Sequence, residues 1–491
     1  MKKFITDTLF ISVGGLLSKA KGIIFLPLII GAVGLSNYGA FVQIYANVKI
    51  LVPVCTLGLG MGFQRFASKI EKRNKVELSK HFFSVLIPSF SFGFLGVIIL
   101  LLISPFINNW FLEGKYLESL QISSFMVLSN TCYTNINKFL LGGKKFKLYS
   151  VLEFSYAFLP YLGFVIGTVI YKDIYFGVLY YTIFDFLIVL IFFILIAKDL
   201  TFVWPSKNIF IQYFKFSYPL AISNIEGGLL NKADRYFISY YLGVEALGIY
   251  NIVHRFTNLL SFVSVPIRKQ MMSYLPKVWD DGFKAESINI IKSSLIVFAA
   301  ISIGILGYLT FYFKDILFFL IDKEIELPHI EFLIFLLGSA SFFSGTKVFY
   351  YILIRLKNET KYELFFQLVG MIINIILNFI LVPVYGLFGS GIATFITYLV
   401  ILSWLNLKHP IPFDFTFIKH FISFFIIASI FYFTKTWMPQ ASFVSFLASS
   451  ILANGLFLFC LIFVKKKMLL QIKSEINLYK KLMKRRGKVT I

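Results

Sequence analysis

Apolar runs of about twenty residues, divided by short polar intervals, follow one another along nearly the whole chain. A helix needs about 20 apolar residues to cross a hydrocarbon core about 30 Å thick. The pattern predicts about fourteen spans, with approximate limits 8–33, 38–62, 82–104, 119–141, 151–171, 175–197, 216–242, 247–268, 289–312, 330–354, 364–384, 387–405, 418–436 and 443–464. The longest polar intervals are Gln64–His81, Lys198–Lys215 and Met271–Ile288 on one side and Phe313–His329 on the other. None is long enough to fold alone, so function must lie within the helices.

Composition agrees. The 491 residues are 58% hydrophobic, 19% aromatic and only 14% charged, with a mean hydropathy of +0.81, the signature of an all-α polytopic membrane protein. Sixty Phe and 27 Tyr suit lipid-facing surfaces and interfacial belts. A formal net charge of +23 would fit a nucleic-acid partner, but the placement of charge does not. Outside the spans, the side opposite the termini carries only Lys115, Lys172, Lys314 and Lys323, with Lys435 at the very end of a span. The positive-inside rule therefore places both termini in the cytoplasm, with the tail Lys465–Lys488 against anionic headgroups. Met1-Lys2-Lys3 resembles a signal-peptide start. The run behind it is interrupted by Gly14, Gly15, Lys19 and Lys21, so it is expected to be the first, uncleaved span. Cys55, Cys132 and Cys460 fall in separate spans and predict buried free thiols, not a disulfide or metal framework.

The chain repeats itself. Gly14-Gly15-Leu16-Leu17-Ser18-Lys19-Ala20 returns as Gly227-Gly228-Leu229-Leu230-Asn231-Lys232-Ala233, and Gly34-Leu35-Ser36-Asn37-Tyr38-Gly39 as Gly243-Val244-Glu245-Ala246-Leu247-Gly248. Six spans precede the second copy, so the two halves are parallel repeats. The expected organisation is a six-helix lobe over 1–200, a second over 201–410, a helix pair over 411–465 and a basic tail over 466–491. Gly34 and Gly243 stand where the chain must turn into the next span.

Charge inside the apolar runs is the chemical signal. Lys19, Lys21, Lys49, Lys138, Lys232, Arg235, Arg255 and Lys347 lie within spans, where a central Lys or Arg costs about 2.5–3.5 kcal/mol. Such residues face a protein interior or a wet cavity, and a positive lining points to an anionic passenger. Lys19 and Lys21 lie about 200° apart on a helical wheel, so one of them at most faces a cavity directly. Lys19 is preferred because its repeat mate Lys232 is also basic; pairing with Glu226 or Asp185 is the structural alternative. Lys232 and Arg235 share a helix face beside Asp234. Glu226 precedes Gly227-Gly228, where a helix break is expected, and it is either an ion-coupling group or a partner for cations. Aligning the repeats sets Lys49 opposite Asn258, with Arg255 a turn earlier, and Arg255 offers a planar fork for phosphate oxygens. Lys347 serves a cavity or pairs with another helix, whereas Lys138 can snorkel to the surface. Asn130, Asn135, Asn137, Asn374 and Asn378 are expected to bond between helices.

These features resemble the polysaccharide-transporter branch of the multidrug/oligosaccharidyl-lipid/polysaccharide exporter superfamily, the Wzx-type repeat-unit flippases. The residues carrying the resemblance are Gly34 and Gly39, Gly243, Gly248 and Tyr250, the stretch Leu57–Phe66, Tyr218-Pro219-Leu220, and Pro383-Val384-Tyr385-Gly386-Leu387-Phe388-Gly389. The resemblance implies two pseudo-symmetric six-helix lobes like those of multidrug exporters, plus the C-terminal pair. It implies a substrate of undecaprenyl pyrophosphate bearing an oligosaccharide. That substrate would be moved across a bacterial inner membrane for O-antigen or capsule assembly, ahead of polysaccharide polymerase machinery. Lys19, Lys49, Lys232, Arg235, Arg255, Asn258 and Lys347 would bind it, with Glu226 and Asp234 as ion-coupling groups. No cofactor or metal is implied, and proton and sodium gradients both remain open as the energy source.

Other classes fit less well. A multidrug exporter of the superfamily would show a cavity dominated by carboxylates. A peptidoglycan-precursor flippase would carry a dense Arg motif in the first span. A membrane polymerase or glycosyltransferase would need a large outer loop or an acidic cytoplasmic domain, and a channel would need a selectivity filter.

Overall fold

The computed structural model describes residues 21–411, apart from 23, 67–74, 144, 231, 322–327, 358 and 360. Lys19, the two spans expected over 418–436 and 443–464, Cys460 and the basic tail lie outside the described residues. The described chain is helical throughout, without strands, and seven of its helices are long and apolar enough to cross a membrane. In a medium without water, helices satisfy every backbone donor and acceptor internally.

Two compact units are formed: Met1–Ile252 with Met371–Ser390, and Val253–Gly370 with Gly391–Ile491. In the first unit the helices are α1 (Leu26–Thr56), α2 (Leu59–Phe66), α3 (Lys75–Phe111), α4 (Leu117–Gly142), α5 (Phe146–Tyr171), α6 (Ile174–Ala197) and α7 (Lys207–Leu230). They are followed by α8 (Ala233–Phe262), whose residues up to Ile252 belong to this unit. One end of the unit is filled by Leu59, Phe63, Phe82, Phe139, Leu152, Phe192 and Tyr213. Leu57 and Gly58, both at positive φ, separate α1 from α2, and the Gly62 amide donates to Ser217 Oγ at 3.1 Å, seating α2 on α7.

The repeat is written into the backbone. Gly34 interrupts α1 at φ 81°, ψ 174°, and its repeat mate Gly243 interrupts α8 at φ 83°, ψ 175°. Only glycine adopts this geometry without steric cost, so one span ends and the next begins there. The adjacent Gly227-Gly228 does not break its helix as expected. Helix α7 runs on through both glycines to Leu230, because in an apolar setting a broken ladder costs more than two poor helix formers.

In the second unit, α9 (Ser264–Asp280), α10 (Lys284–Ile321) and α11 (Ile330–Leu356) pack with the latter part of α12 (Lys361–Lys408), which bends at Gly386. Their core includes Met271, Leu275, Ile291, Phe298, Phe349, Tyr350, Tyr398 and Leu405. Much of the interval expected as a polar loop over Met271–Ile288 is helix. The chain turns only at Gly282, where φ is +94°.

Candidate functional site

A buried polar network lies inside the first unit. Asp185 on α6 is fully buried and places Oδ2 where two α4 donors meet it, Asn130 Nδ2 at 3.0 Å and the Ser129 hydroxyl. Asn130 turns its own Oδ1 to the Lys49 ammonium, which arrives from α1. The amide therefore bridges cation and carboxylate; among the described residues no ion pair joins Lys49 to Asp185 directly. No donor reaches Asp185 Oδ1 at ordinary hydrogen-bond distance; the buried Tyr156 hydroxyl stands near enough to help stabilise the carboxylate.

Aromatic rings wall the network. Lys49 Nζ lies 4.9 Å from the Tyr45 ring centroid and 5.9 Å from that of Tyr156, and Lys21 Nζ lies 4.8 Å from Tyr161, distances at which a ring face attracts a cation. Tyr45, Tyr161 and Tyr181 each pack against the Phe41 ring, which lies 4.1 Å from that of Phe164. Behind Tyr156, Tyr133 stacks at 3.5 Å and donates to Glu153 at 2.8 Å, with Asn137 donating to the same oxygen at 2.7 Å.

More positive charge comes from the start of α8. Half-buried Lys232 lies within electrostatic reach of both Arg235 and Lys49. Asp234 lies within electrostatic reach of Lys232, but its oxygens are engaged: Oδ2 accepts from Tyr250 at 2.7 Å and Oδ1 from the Arg235 amide at 2.9 Å. Lys21, Lys49, Lys232 and Arg235 thus gather around two carboxylates, Asp185 and Asp234. Like charges at such separations repel by an amount that grows as the dielectric falls. The arrangement is a standing attraction for a multivalent anion.

Of the residues singled out in the sequence, Lys49, Lys232, Arg235 and Asp234 come together. Lys19 lies outside the described residues. Glu226 falls in α7, with its side chain likewise outside them. Arg255, Asn258 and Lys347 belong to the second unit. There Asn258 is exposed with its amide 3.1 Å from His254 Nδ1, Arg255 is half-buried, and Lys347 lies over the rings of Tyr351 and Tyr398 at 5.5 and 4.9 Å. Asn130 and Asn137 bond between helices as expected, whereas Asn135 and Asn378 donate to carbonyls of their own helices. Cys55 and Cys132 are free thiols.

Sequence reasoning named Lys21 among the cations in apolar runs but set it behind Lys19, and it did not assign the tyrosine wall or the bridging role of Asn130. Asn130 and Asp185 were visible as lone polar residues in apolar runs, but nothing in their spacing pairs them. A second cluster, unmarked by any motif, lies in the other unit. Arg355 holds Glu363 by a two-pronged contact, Nε to Oε2 at 2.9 Å and a terminal nitrogen to Oε1 at 2.6 Å, with Arg268 nearby.

Comparison with known proteins supplies context. The family model described as polysaccharide biosynthesis protein matches residues 4–271, more than half of the chain. An uncharacterized membrane protein of Methanocaldococcus jannaschii is 29% identical over 207 residues, covering 39% of this chain and 45% of that relative, so the match spans less than half of the relative's length. Among solved structures, the lipid II flippase MurJ in an inward closed conformation superposes with a TM-score of 0.77 at 17% identity, covering 94% of this chain and 99% of that one. An inward-facing multidrug resistance MATE family transporter of the MOP superfamily gives 0.62 at 14% identity, covering 80% and 94%. At these identities the likeness shows a shared fold.

Proposed function

Because the chain belongs to the polysaccharide biosynthesis protein family, we propose that it is a flippase for lipid-linked oligosaccharides. The passenger is an undecaprenyl pyrophosphate carrying a short glycan. It moves by alternating access from the cytoplasmic to the outer leaflet of a bacterial inner membrane, with both termini cytoplasmic, to supply O-antigen or capsule assembly. The observation that carries this reading is the crowd of cations Lys21, Lys49, Lys232 and Arg235 against two carboxylates inside apolar spans. A diphosphate is the complementary charge, and the ammonium groups and Arg235 fork supply donors for its oxygens. Each unpaired sugar hydroxyl in hydrocarbon costs several kcal/mol, so a polar passage lowers a barrier that no bond-making need accompany. Arg255, Asn258 and Lys347 are proposed as further contacts from the second unit, with Lys19 as the counterpart of Lys232. The likeness to the lipid II flippase concerns the fold and does not choose among glycan heads.

The test is transport in proteoliposomes with a fluorescent diphosphate-linked oligosaccharide, read as the fraction reaching the far leaflet. Lys232→Ala and Arg235→Ala, each at wild-type protein level, should reduce the rate to that of empty vesicles. Unchanged rates in both would overturn the reading.

A further inference from the structure

We propose that binding of a diphosphate at Lys49 is linked to uptake of one proton by Asp185, an inference that rests on the reading above. Three observations in the first unit carry it. Asp185 is fully buried, so its charge is compensated only by what it touches. Its compensation by Lys49 runs through Asn130, the amide that takes the ammonium on one side and gives an N–H to the carboxylate on the other. Its second oxygen, Oδ1, is buried with no donor at ordinary hydrogen-bond distance, and the buried Tyr156 hydroxyl stands beside the carboxylate.

An arriving diphosphate draws the Lys49 ammonium onto its own oxygens, since a charged acceptor is stronger than the neutral Asn130 carbonyl. Asn130 then bridges nothing, and Asp185 keeps only the dipoles of Ser129, Asn130 and Tyr156 and the field of Lys21. A buried carboxylate left without its cation is costly, and the cheapest remedy is a proton taken from solvent onto Oδ1. That O–H has Tyr156 oxygen available as acceptor. The charged and titratable groups around Asp185 are Lys21, Tyr45 and Lys49 before and on α1, Tyr156 and Tyr161 on α5, and Tyr181 on α6, with Ser129 and Asn130 presented by α4. Lys21, over Tyr161, is the remaining cation, and it is drawn toward the same anion. Linkage is reciprocal: protonating Asp185 releases Lys49 and tightens the hold on diphosphate.

The experiment is calorimetric titration of the full chain in detergent with undecaprenyl diphosphate, in two phosphate-free buffers of different ionisation enthalpy across a pH series. The Asp185→Asn variant corrects for ionisation of the ligand itself. Wild type should take up about one more proton per ligand than Asp185→Asn, and its affinity should fall about tenfold per pH unit where the variant's does not. Ligand-induced growth of a protonated-carboxyl infrared band in the wild type gives the same readout should the variant fail to fold. Equal proton uptake in both proteins, or no such band, overturns the linkage and leaves the diphosphate site standing. No binding at any pH overturns the flippase reading and the linkage together.

Discussion

Gly39 of α1 and Gly248 of α8 meet backbone to backbone, and the contact is its own mirror. A side-chain carbon on Gly39 would overlap the Val244 carbonyl and sit 2.9 Å from the Gly248 nitrogen. A side-chain carbon on Gly248 would lie 2.8 Å from the carbonyl oxygen of Leu35. Leu35 and Val244 are repeat mates, as are Gly39 and Gly248, so each repeat offers the other the same surface. That reciprocity is the mark of a two-fold relation. Tyr38 and Asn251 flank it with a hydrogen bond of 2.6 Å, and Tyr236 and Asn47 with another of the same length.

Close backbone approach makes Gly39 intolerant of even one methyl. Gly39→Ala should cost about 1–3 kcal/mol or more, because the obstacle is main chain and cannot rotate away. Gly31→Ala, with nothing within 4 Å, should be neutral or slightly stabilising. Thermal unfolding in detergent compares the two; equal midpoints would refute the contact.

How much of this was legible beforehand depends on the kind of signal. Spans and repeat were readable because apolar length and glycine spacing are local, and the paired breaks at Gly34 and Gly243 follow from them. Lys49 and Lys232 stand out in the sequence as cations in apolar runs, but their shared neighbourhood is set by the fold. The route from Lys49 to Asp185 was not legible, because residues 49, 130 and 185 sit on three helices and a lone Asn carries no address. Lys21 was passed over in favour of Lys19 on the strength of the repeat, yet it reaches the Tyr161 ring.

Crowded cations should trade stability for function. Lys232 faces both Lys49 and Arg235, so Lys232→Gln removes mutual repulsion. It should raise stability by about 0.5–2 kcal/mol while transport is lost, a pairing seen where a site is built against its own electrostatics. Tyr250→Phe should act oppositely, costing about 0.5–1.5 kcal/mol by stripping Asp234 of its hydroxyl donor. Melting temperature and vesicle transport, measured on the same preparations, separate the two effects; a destabilised Lys232→Gln would contradict the first.

Between α3 and α4, Glu113 reaches across to the break in α8. Its Oε1 accepts the Val244 amide at 3.1 Å, at the start of the segment after Gly243, and its Oε2 accepts from Lys115 at 3.0 Å. The Lys115 hydrogen bond first, then the Val244 amide, hold this carboxyl below the ordinary value of 4.5. A depressed carboxyl stabilises above its unfolded value and loses that contribution as pH falls through the lower folded one. The latch is therefore intact above about pH 4.5 and releases below it. Hydrogen exchange at the Val244 amide should accelerate on acidification beyond the intrinsic rate. Glu113→Gln should flatten that pH dependence; an unchanged profile would remove Glu113 from the latch.

The last test concerns the second unit, where Arg355 grips Glu363 with Arg268 close by. Glu363→Gln leaves two guanidinium groups facing each other without their anion, and should cost about 1–3 kcal/mol, since breaking one side of a sheltered pair strands the other. Arg355→Lys keeps the charge but cannot reproduce two parallel contacts, so it should lose a smaller part of that amount. Combining Glu363→Gln with Arg355→Gln should recover stability, because the stranded charge is gone. If the double variant is no better than Glu363→Gln alone, the contact contributes by packing and not by charge. Denaturation midpoints of the four proteins in one detergent decide between these outcomes.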